Sequence, residues 1–226
     1  MKFLSSLFVI LIFCGLSSCI DIIDDISINN DGSGTLKYTV NLSSSKIKIN
    51  SILALDSLEG QKVPTIEEIK EKIASFQKKL ESKPGISNVV MESNFTTYFF
   101  RIQCDFTNVA ALQTALKEVI QEEIKDKNIS ELEQIWLSWD GQKLTRSIPD
   151  ITIKKTKELK AEDIELMKQG KYTSISRFGR IVEKFDNPAA VLSTNKMAVM
   201  IKTNPYALTQ NSDILENTIY LSPIKN

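Results

Sequence analysis

Two segments in which apolar and polar residues strictly alternate constrain the fold of this chain most. They are TLKYTVNL at 35–42 and TTYFFRIQCDF at 96–106. Because side chains alternate between the two faces of a β-strand, each segment predicts a strand with one apolar face and one polar face. Such strands are typical of an antiparallel sheet that is covered on one side only. The apolar positions are Leu36, Tyr38, Val40 and Leu42 in the first segment, and Tyr98, Phe100, Ile102, Cys104 and Phe106 in the second.

Both segments have a neighbour with which they are expected to form a hairpin. IDIIDDISI at 20–28 precedes the first across the turn NNDGSG, and ISNVVMES at 86–93 precedes the second across a turn around Ser93-Asn94. A third hairpin is predicted at 133–148, where Asp140-Gly141 is a strong turn signal. Further strands are predicted within 172–186, 196–203 and 216–222.

Helical periodicity is clearest at residues 64–85. Thr65 and Glu68 match a capping box, and Pro84-Gly85 predicts the end of the helix. Its apolar stripe suits either a coiled-coil seam or a helix lying on a sheet, and two heptads favour the sheet. The stripe consists of Ile66, Ile69, Ile73, Phe76 and Leu80.

Three more helices are predicted, at 108–127, at 156–171 with its end at Gly170, and at 45–59. The last is short and amphipathic, and it is either a membrane-facing or lid helix or a connector packed on the core. The sum predicts an α+β fold of two layers: a mainly antiparallel sheet of hairpins with about three helices packed on one face.

The composition excludes several classes of binding partner and catalytic site. The 226 residues carry 28 Lys and Arg against 28 Asp and Glu, so no basic excess indicates a nucleic-acid partner. The chain has no histidine, the commonest general base and a common zinc ligand, and no phosphate-loop, dinucleotide, nucleophile-elbow or zinc-protease motif. Adjacent carboxylates such as Asp24-Asp25 are expected to point in different directions as solvated groups. We therefore expect no enzyme activity, no metal and no cofactor.

The N-terminus predicts export. Lys2 is followed by an apolar run of roughly a dozen residues, shorter than the ~20 that a membrane-spanning helix needs, which is typical of a signal peptide. The run ends in LSSC, Leu16 to Cys19, which resembles the lipobox of bacterial lipoproteins. An ordinary secretory signal with a nearby cysteine is the alternative.

The lipobox resemblance implies cleavage before Cys19 and acylation of that cysteine, which would bind the chain to a membrane. Residues 1–18 would be the signal peptide and residues 19–226 a single α+β envelope domain. Cys14 would leave with the signal, so no disulfide framework is expected. Ile20, where an inner-membrane retention signal would have aspartate, favours the outer membrane, on its periplasmic face or at the cell surface. A tether of about three residues, ~10 Å, would keep the domain close to the membrane.

The order of elements also resembles the LppM-type bacterial lipoproteins. The shared features are a lipobox followed at once by a hairpin on DGSGTLKYTVNL, then helix, hairpin, helix and a closing β-region at 176–208. Phe178-Gly179 stands where that family has Pro-Gly, and the family's late-strand tryptophan is absent. The resemblance implies a two-layer domain with an apolar cavity that binds lipid, and it supplies no catalytic residues.

Two function hypotheses follow. The first is a membrane-anchored, non-enzymatic envelope lipoprotein that binds lipid or another apolar ligand; the alternative is a scaffold lipoprotein of an envelope protein complex. Trp136 and Trp139 are three residues apart on one predicted strand and so face opposite ways, one in the core and the other available as a ligand or interface residue. Cys104 lies among aromatic residues and is expected to be an inert core residue.

Overall fold

The computed structural model describes residues 20–58, 60–124, 132–148, 164 and 167–224. The predicted signal peptide, the lipobox with Cys19, and most of the helix predicted at 156–171 lie outside these residues.

Most of the sheet is built from the hairpins that the alternation predicts. β1 and β2 pair antiparallel with Ile28 opposite Gly34, and β5 and β6 pair with Ile86 opposite Phe106. Among the described residues the long strands are β1 (Asp21–Ile28), β2 (Gly34–Asn41), β5 (Ile86–Asn94), β6 (Phe99–Phe106), β9 (Lys171–Phe178) and β12 (Ala198–Thr203). The shorter ones are β3 (Ser57–Leu58), β4 (Gln61–Lys62), β7 (Leu137–Trp139), β8 (Lys143–Arg146), β10 (Val182–Phe185), β11 (Val191–Leu192) and β13 (Asn217–Leu221).

The strands form a large sheet of seven, in the order β11-β12-β9-β1-β2-β6-β5, and a smaller sheet of four, in the order β10-β13-β8-β7. β3 and β4 form a separate two-stranded ribbon. The α+β class with a mainly antiparallel sheet is thus confirmed. One pair in the large sheet, β1 with β9, is parallel. A hairpin pattern cannot predict that pair, because its strands are far apart in sequence.

Two long helices cover part of the large sheet, α2 (Ile66–Glu81) and α3 (Val109–Ile124). The capping box of α2 is formed: the Glu68 amide donates to Thr65 Oγ1 at 3.1 Å, and the Thr65 amide donates to the Glu68 carboxylate at 2.8 Å. α2 lies against β5 and α3, so packing on a sheet is the alternative that the structure shows. It ends three residues before Pro84, which disfavours helical backbone at the residue it follows.

The helix predicted at 45–59 is shorter than expected. α1 covers Lys46–Leu53 and follows a 3₁₀ turn at Ser43–Ser45. The chain then turns back through the β3–β4 ribbon, where Gly60 has a φ of +80° that a helix cannot include. A further short helix, α4 (Pro205–Gln210), is capped by the Asn204 side chain, and another 3₁₀ turn lies at Ser212–Leu215.

The small sheet lies on the same face of the large sheet as the two long helices, which we call the inner face. Ile219 and Leu144 of the small sheet belong to one buried cluster with Ile26 and Val199 of the large sheet. The inner face is therefore covered by α2 and α3 over β6 and β5, and by the small sheet over β9 and β12. The two-layer prediction has only helices packed on the inner face, so it does not include this second sheet.

Candidate functional site

A cavity of about 330 Å³ lies where the two covers of the inner face meet. That volume is at the small end of the range for ligand pockets. Its walls come from β1, β2, β6 and β9 of the large sheet, from α2 and α3, from β7 and β8 with the residues next to them, and from α4 and the 3₁₀ turn after it. The apolar lining residues are Ile26, Leu36, Phe76, Leu80, Ile102, Cys104, Leu112, Leu116, Ile120, Trp136, Leu137, Ile148, Leu208 and Leu215.

The wall is apolar because the alternation of the sequence directs it there. Leu36 and Cys104 face each other in the β2–β6 register, and Tyr38 faces Ile102. On the helices, Phe76 and Leu80 come from the stripe of α2, while Leu112 and Leu116 come from that of α3. The residues that predicted a half-buried sheet and amphipathic helices are thus the ones that surround the cavity.

A small polar cluster interrupts this wall. Arg146 Nη2 donates to Asp24 Oδ2, and the Tyr172 hydroxyl donates to the same oxygen at 3.0 Å. Arg146 Nη1 also approaches the Ser176 hydroxyl at 3.4 Å. The side chains of Asp24 and Arg146 are 15% and 11% exposed, so this is a largely buried ion pair between the two sheets. Such a pair holds its partners in one geometry, because either charge left alone there would be costly.

Burial also sets the protonation of the tyrosines in this wall. Burial, and secondly the Asp24 carboxylate, raise the pKa of Tyr38 and of Tyr172 well above the ordinary value. For Arg146, burial acts to lower the pKa, but Asp24 and Tyr172 outweigh it and the pKa rises. The arginine therefore stays charged and both phenols stay neutral throughout the physiological range.

Cys104 lies in the cavity wall with 1% of its surface exposed. Burial, then the neighbouring Asp105, raise the pKa of its thiol to about 11. A thiolate is the reactive form of cysteine, so this side chain is a poor nucleophile, as the sequence led us to expect.

The two tryptophans lie in different surroundings. Trp136 lines the cavity and is 7% exposed, and its carbonyl accepts from the Ser147 amide at 2.8 Å. Trp139 does not line the cavity; it stacks on Phe178, with ring centroids 6.3 Å apart, and lies against Gly32. Trp136 lies just before β7 and Trp139 ends it, and both contact the same buried cluster. A ligand or interface role for either stays a prediction.

The sequence patterns do not predict the polar cluster. Asp24 was grouped with Asp25 as solvated, yet the two differ: Asp25 faces the outer side of the sheet, where Arg177 Nε donates to both its oxygens at 3.0 Å. The signal was present, because Asp24 shares the inner face with Ile22 and Ile26. A charge in the middle of an apolar face needs a partner, and the sequence alone does not say which one.

Asp24 is the one carboxylate among the described residues that line the cavity, and both of its hydrogen-bond donors are in place. Within the described ranges no three histidine, cysteine, aspartate or glutamate side chains come together as a metal site would require. No helix in the described part of the chain is long and apolar enough to cross a bilayer.

Compared with known proteins, the chain matches no family model and no curated protein. Among solved structures it is similar to the folded domain of Mycobacterium tuberculosis LppM, determined by NMR. The two share 10% identity over 91% of this chain and 92% of that chain, with a TM-score of 0.41.

Proposed function

We propose that this protein is a membrane-anchored envelope lipoprotein that binds a small apolar ligand in the cavity between its two sheets and its two long helices. The observation that carries the proposal is the cavity itself, with about 330 Å³ lined by mostly apolar side chains. Core packing normally leaves few voids larger than a water molecule, so a space of this size is a feature to be explained. The cavity favours ligand binding over the alternative, a scaffold role in an envelope complex.

The polar cluster restricts the ligand class. Arg146 is neutralised by Asp24, so the cavity wall formed by described residues offers no unpaired charge. Tyr38 lines the cavity, and no other described residue hydrogen-bonds its hydroxyl. An occupant that is apolar along most of its length and carries one uncharged hydrogen-bonding group, such as a hydroxyl or an ester, fits this wall better than a free anion.

Lipid extraction from the purified protein tests the binding. The mature chain is purified from its membrane in mild detergent, and the extract is compared with that of Leu116→Phe, which narrows the cavity from α3. Leu58→Phe, the same change at an exposed position of the β3–β4 ribbon, is the matched control. We expect one co-purified molecule per chain in the native protein and in the control, and clear loss in Leu116→Phe.

Equal amounts of lipid in all three samples would place the bound molecules outside the cavity and refute the proposal. An empty native protein that also takes up no added envelope lipid would refute it as well. Circular dichroism of each variant confirms that the fold is retained, so loss of the ligand is not mistaken for unfolding.

The anchor is tested separately. The intact mass of the mature chain should correspond to cleavage before Cys19 plus acyl chains, and Cys19→Ser should release the protein from the membrane fraction. Two or more acyl chains bind stably, because each buried methylene contributes about 0.8 kcal/mol. An unmodified mass, or a Cys19→Ser protein that stays in the membrane fraction, would contradict the anchoring.

A further inference from the structure

α1 and the turn after it expose apolar side chains at one end of the large sheet. Ile47 is 81% exposed and Leu55 is 46% exposed. Ile47 lies between Lys46 and Lys48, and α1 contains no acidic residue. Isolated exposed apolar residues are common on protein surfaces, so the exposure of Ile47 alone has no significance. Its exposure becomes informative because α1 lies close to the start of β1, and therefore close to Cys19.

Strand register places α1 beside the point where the chain enters the domain. Asp21, the first residue of β1, is opposite Asn41 at the end of β2 and opposite Lys171 at the start of β9. α1 begins five residues after Asn41, so it lies at the same end of the sheet.

Tertiary contacts hold α1 at that end. The Leu42 amide donates to the Tyr98 carbonyl at 2.9 Å, and the buried Tyr98 hydroxyl donates to the Asn50 side chain within the helix. Through Asn50, α1 is therefore held at the rim of the sheet, and the Ile47 side chain is exposed.

The chain before β1 is too short to separate this end from a membrane. Cys19 precedes Asp21 by two residues, which span at most about 7 Å when fully extended. This is shorter than the tether expected from the sequence, because β1 begins one residue earlier. A lipid on Cys19 would therefore hold the Ile47 end of the domain against the bilayer surface.

We propose that α1 docks on the surface of the same membrane, with Ile47 inserted at the boundary between headgroups and acyl chains and with Lys46 and Lys48 at the level of anionic lipid phosphates. Apolar side chains flanked by lysines are the usual composition of interfacial contacts. This inference rests on the anchoring part of the proposed function and is independent of the cavity.

Site-directed fluorescence on the lipidated chain tests the docking. Ile47→Cys is labelled with the environment-sensitive dye NBD and placed in vesicles of phosphatidylcholine and phosphatidylglycerol. Ile181→Cys is the matched control, because Ile181 is 50% exposed at the opposite end of the sheet, just after Gly179, whose amide donates to the Ile28 carbonyl. The buried Cys104 is not expected to take the label.

We expect the dye at 47 to shift to shorter wavelength and to be quenched by nitroxides on the lipid chains, while the dye at 181 reports water. As the fraction of anionic lipid rises, the emission shift of the dye at 47 should grow. The Lys46→Gln, Lys48→Gln double change should weaken that growth. Equal, water-like emission from both positions in a protein of confirmed acylated mass would refute docking while leaving the anchor and the cavity intact. A mass without acyl chains would refute the anchoring, and it would refute the docking of α1 as well. Loss of co-purified lipid would refute only the cavity function.

Discussion

Two cross-strand rows on the inner face of the large sheet show how one sheet builds both a filled core and a cavity. In the first row, Phe178, Ile28, Gly34 and Phe106 are neighbours across β9, β1, β2 and β6. In the second, four residues earlier in β1, the neighbours are Ser174, Asp24, Tyr38 and Ile102. The first row is filled, and three members of the second line the cavity.

The filled row depends on three aromatic rings. Trp139 of the small sheet stacks on Phe178, and the Phe106 ring lies so close over Gly34 that a Cβ there would be 2.6 Å from it. The second row has one ring, that of Tyr38, and its charged member Asp24 binds the facing Arg146. A cavity therefore forms where paired polar groups replace interdigitating aromatic side chains.

The largest expected effect comes from breaking the ion pair of the second row. Arg146→Ala leaves the Asp24 charge buried without its partner and should lower the free energy of unfolding by about 3–5 kcal/mol. Asp25→Ala is the control on the outer face, where its partner Arg177 is half exposed, and should cost less than about 1 kcal/mol. Urea unfolding measures both, and similar losses would show that the pair between the sheets has no special role.

The next effect compares the two rows directly by the same substitution. Ile28→Ala removes a side chain that is 2% exposed in the filled row and should cost about 2–5 kcal/mol. Ile102→Ala removes a half-buried side chain that faces the cavity, where atoms are missing on one side, and should cost about half as much. Urea midpoints give both values, and a cost for Ile102 as large as that for Ile28 would mean that the cavity is filled in solution.

The hairpins, the capping box and the inner-face positions of Leu36, Ile102 and Cys104 were predictable, because they depend on periodicity and on residues close in sequence. The parallel β1–β9 pair was not, since its strands are about 150 residues apart. Asp24 and Arg146 each interrupt an apolar face, but they are 122 residues apart. The local sequence pattern around either residue therefore does not identify its partner. The cavity could not be predicted from these patterns, because periodicity gives the direction of a side chain and not the volume it leaves unfilled.

A smaller effect is expected at alkaline pH, where ionisable groups that line the cavity lose their protons. Cys104 has a pKa of about 11 in the folded chain, against an ordinary value near 9, and burial also raises the pKa of Tyr38 and Tyr172. Such groups ionise first in the unfolded chain. The stabilisation from Cys104 is therefore fully present below about pH 8.5 and is lost as the pH rises through 9 to 11, while that from the two tyrosines is lost only above about pH 10.

The contribution of Cys104 can be isolated. Between pH 8 and 11 the native protein should lose on the order of 2 kcal/mol more stability than Cys104→Ala, measured by urea unfolding at each pH. The alanine variant is less stable at neutral pH because it enlarges the cavity, so the comparison is between slopes against pH and not between absolute values. Parallel slopes would mean that the thiol is not buried in solution.

The smallest effect is spectroscopic and uses the two tryptophans, the chain's complete set, as reporters of the two rows. In Trp139→Phe the remaining Trp136 lines the cavity, and in Trp136→Phe the remaining Trp139 stacks on Phe178 in the filled row. Adding an apolar ligand to delipidated protein should change the emission of Trp136 and leave that of Trp139 unchanged. Because each variant keeps one indole and replaces the other with a ring, both should remain folded. A response from Trp139 alone would place binding at the other end of the inner face, and equal responses would indicate a rearrangement of the whole core rather than occupation of one cavity.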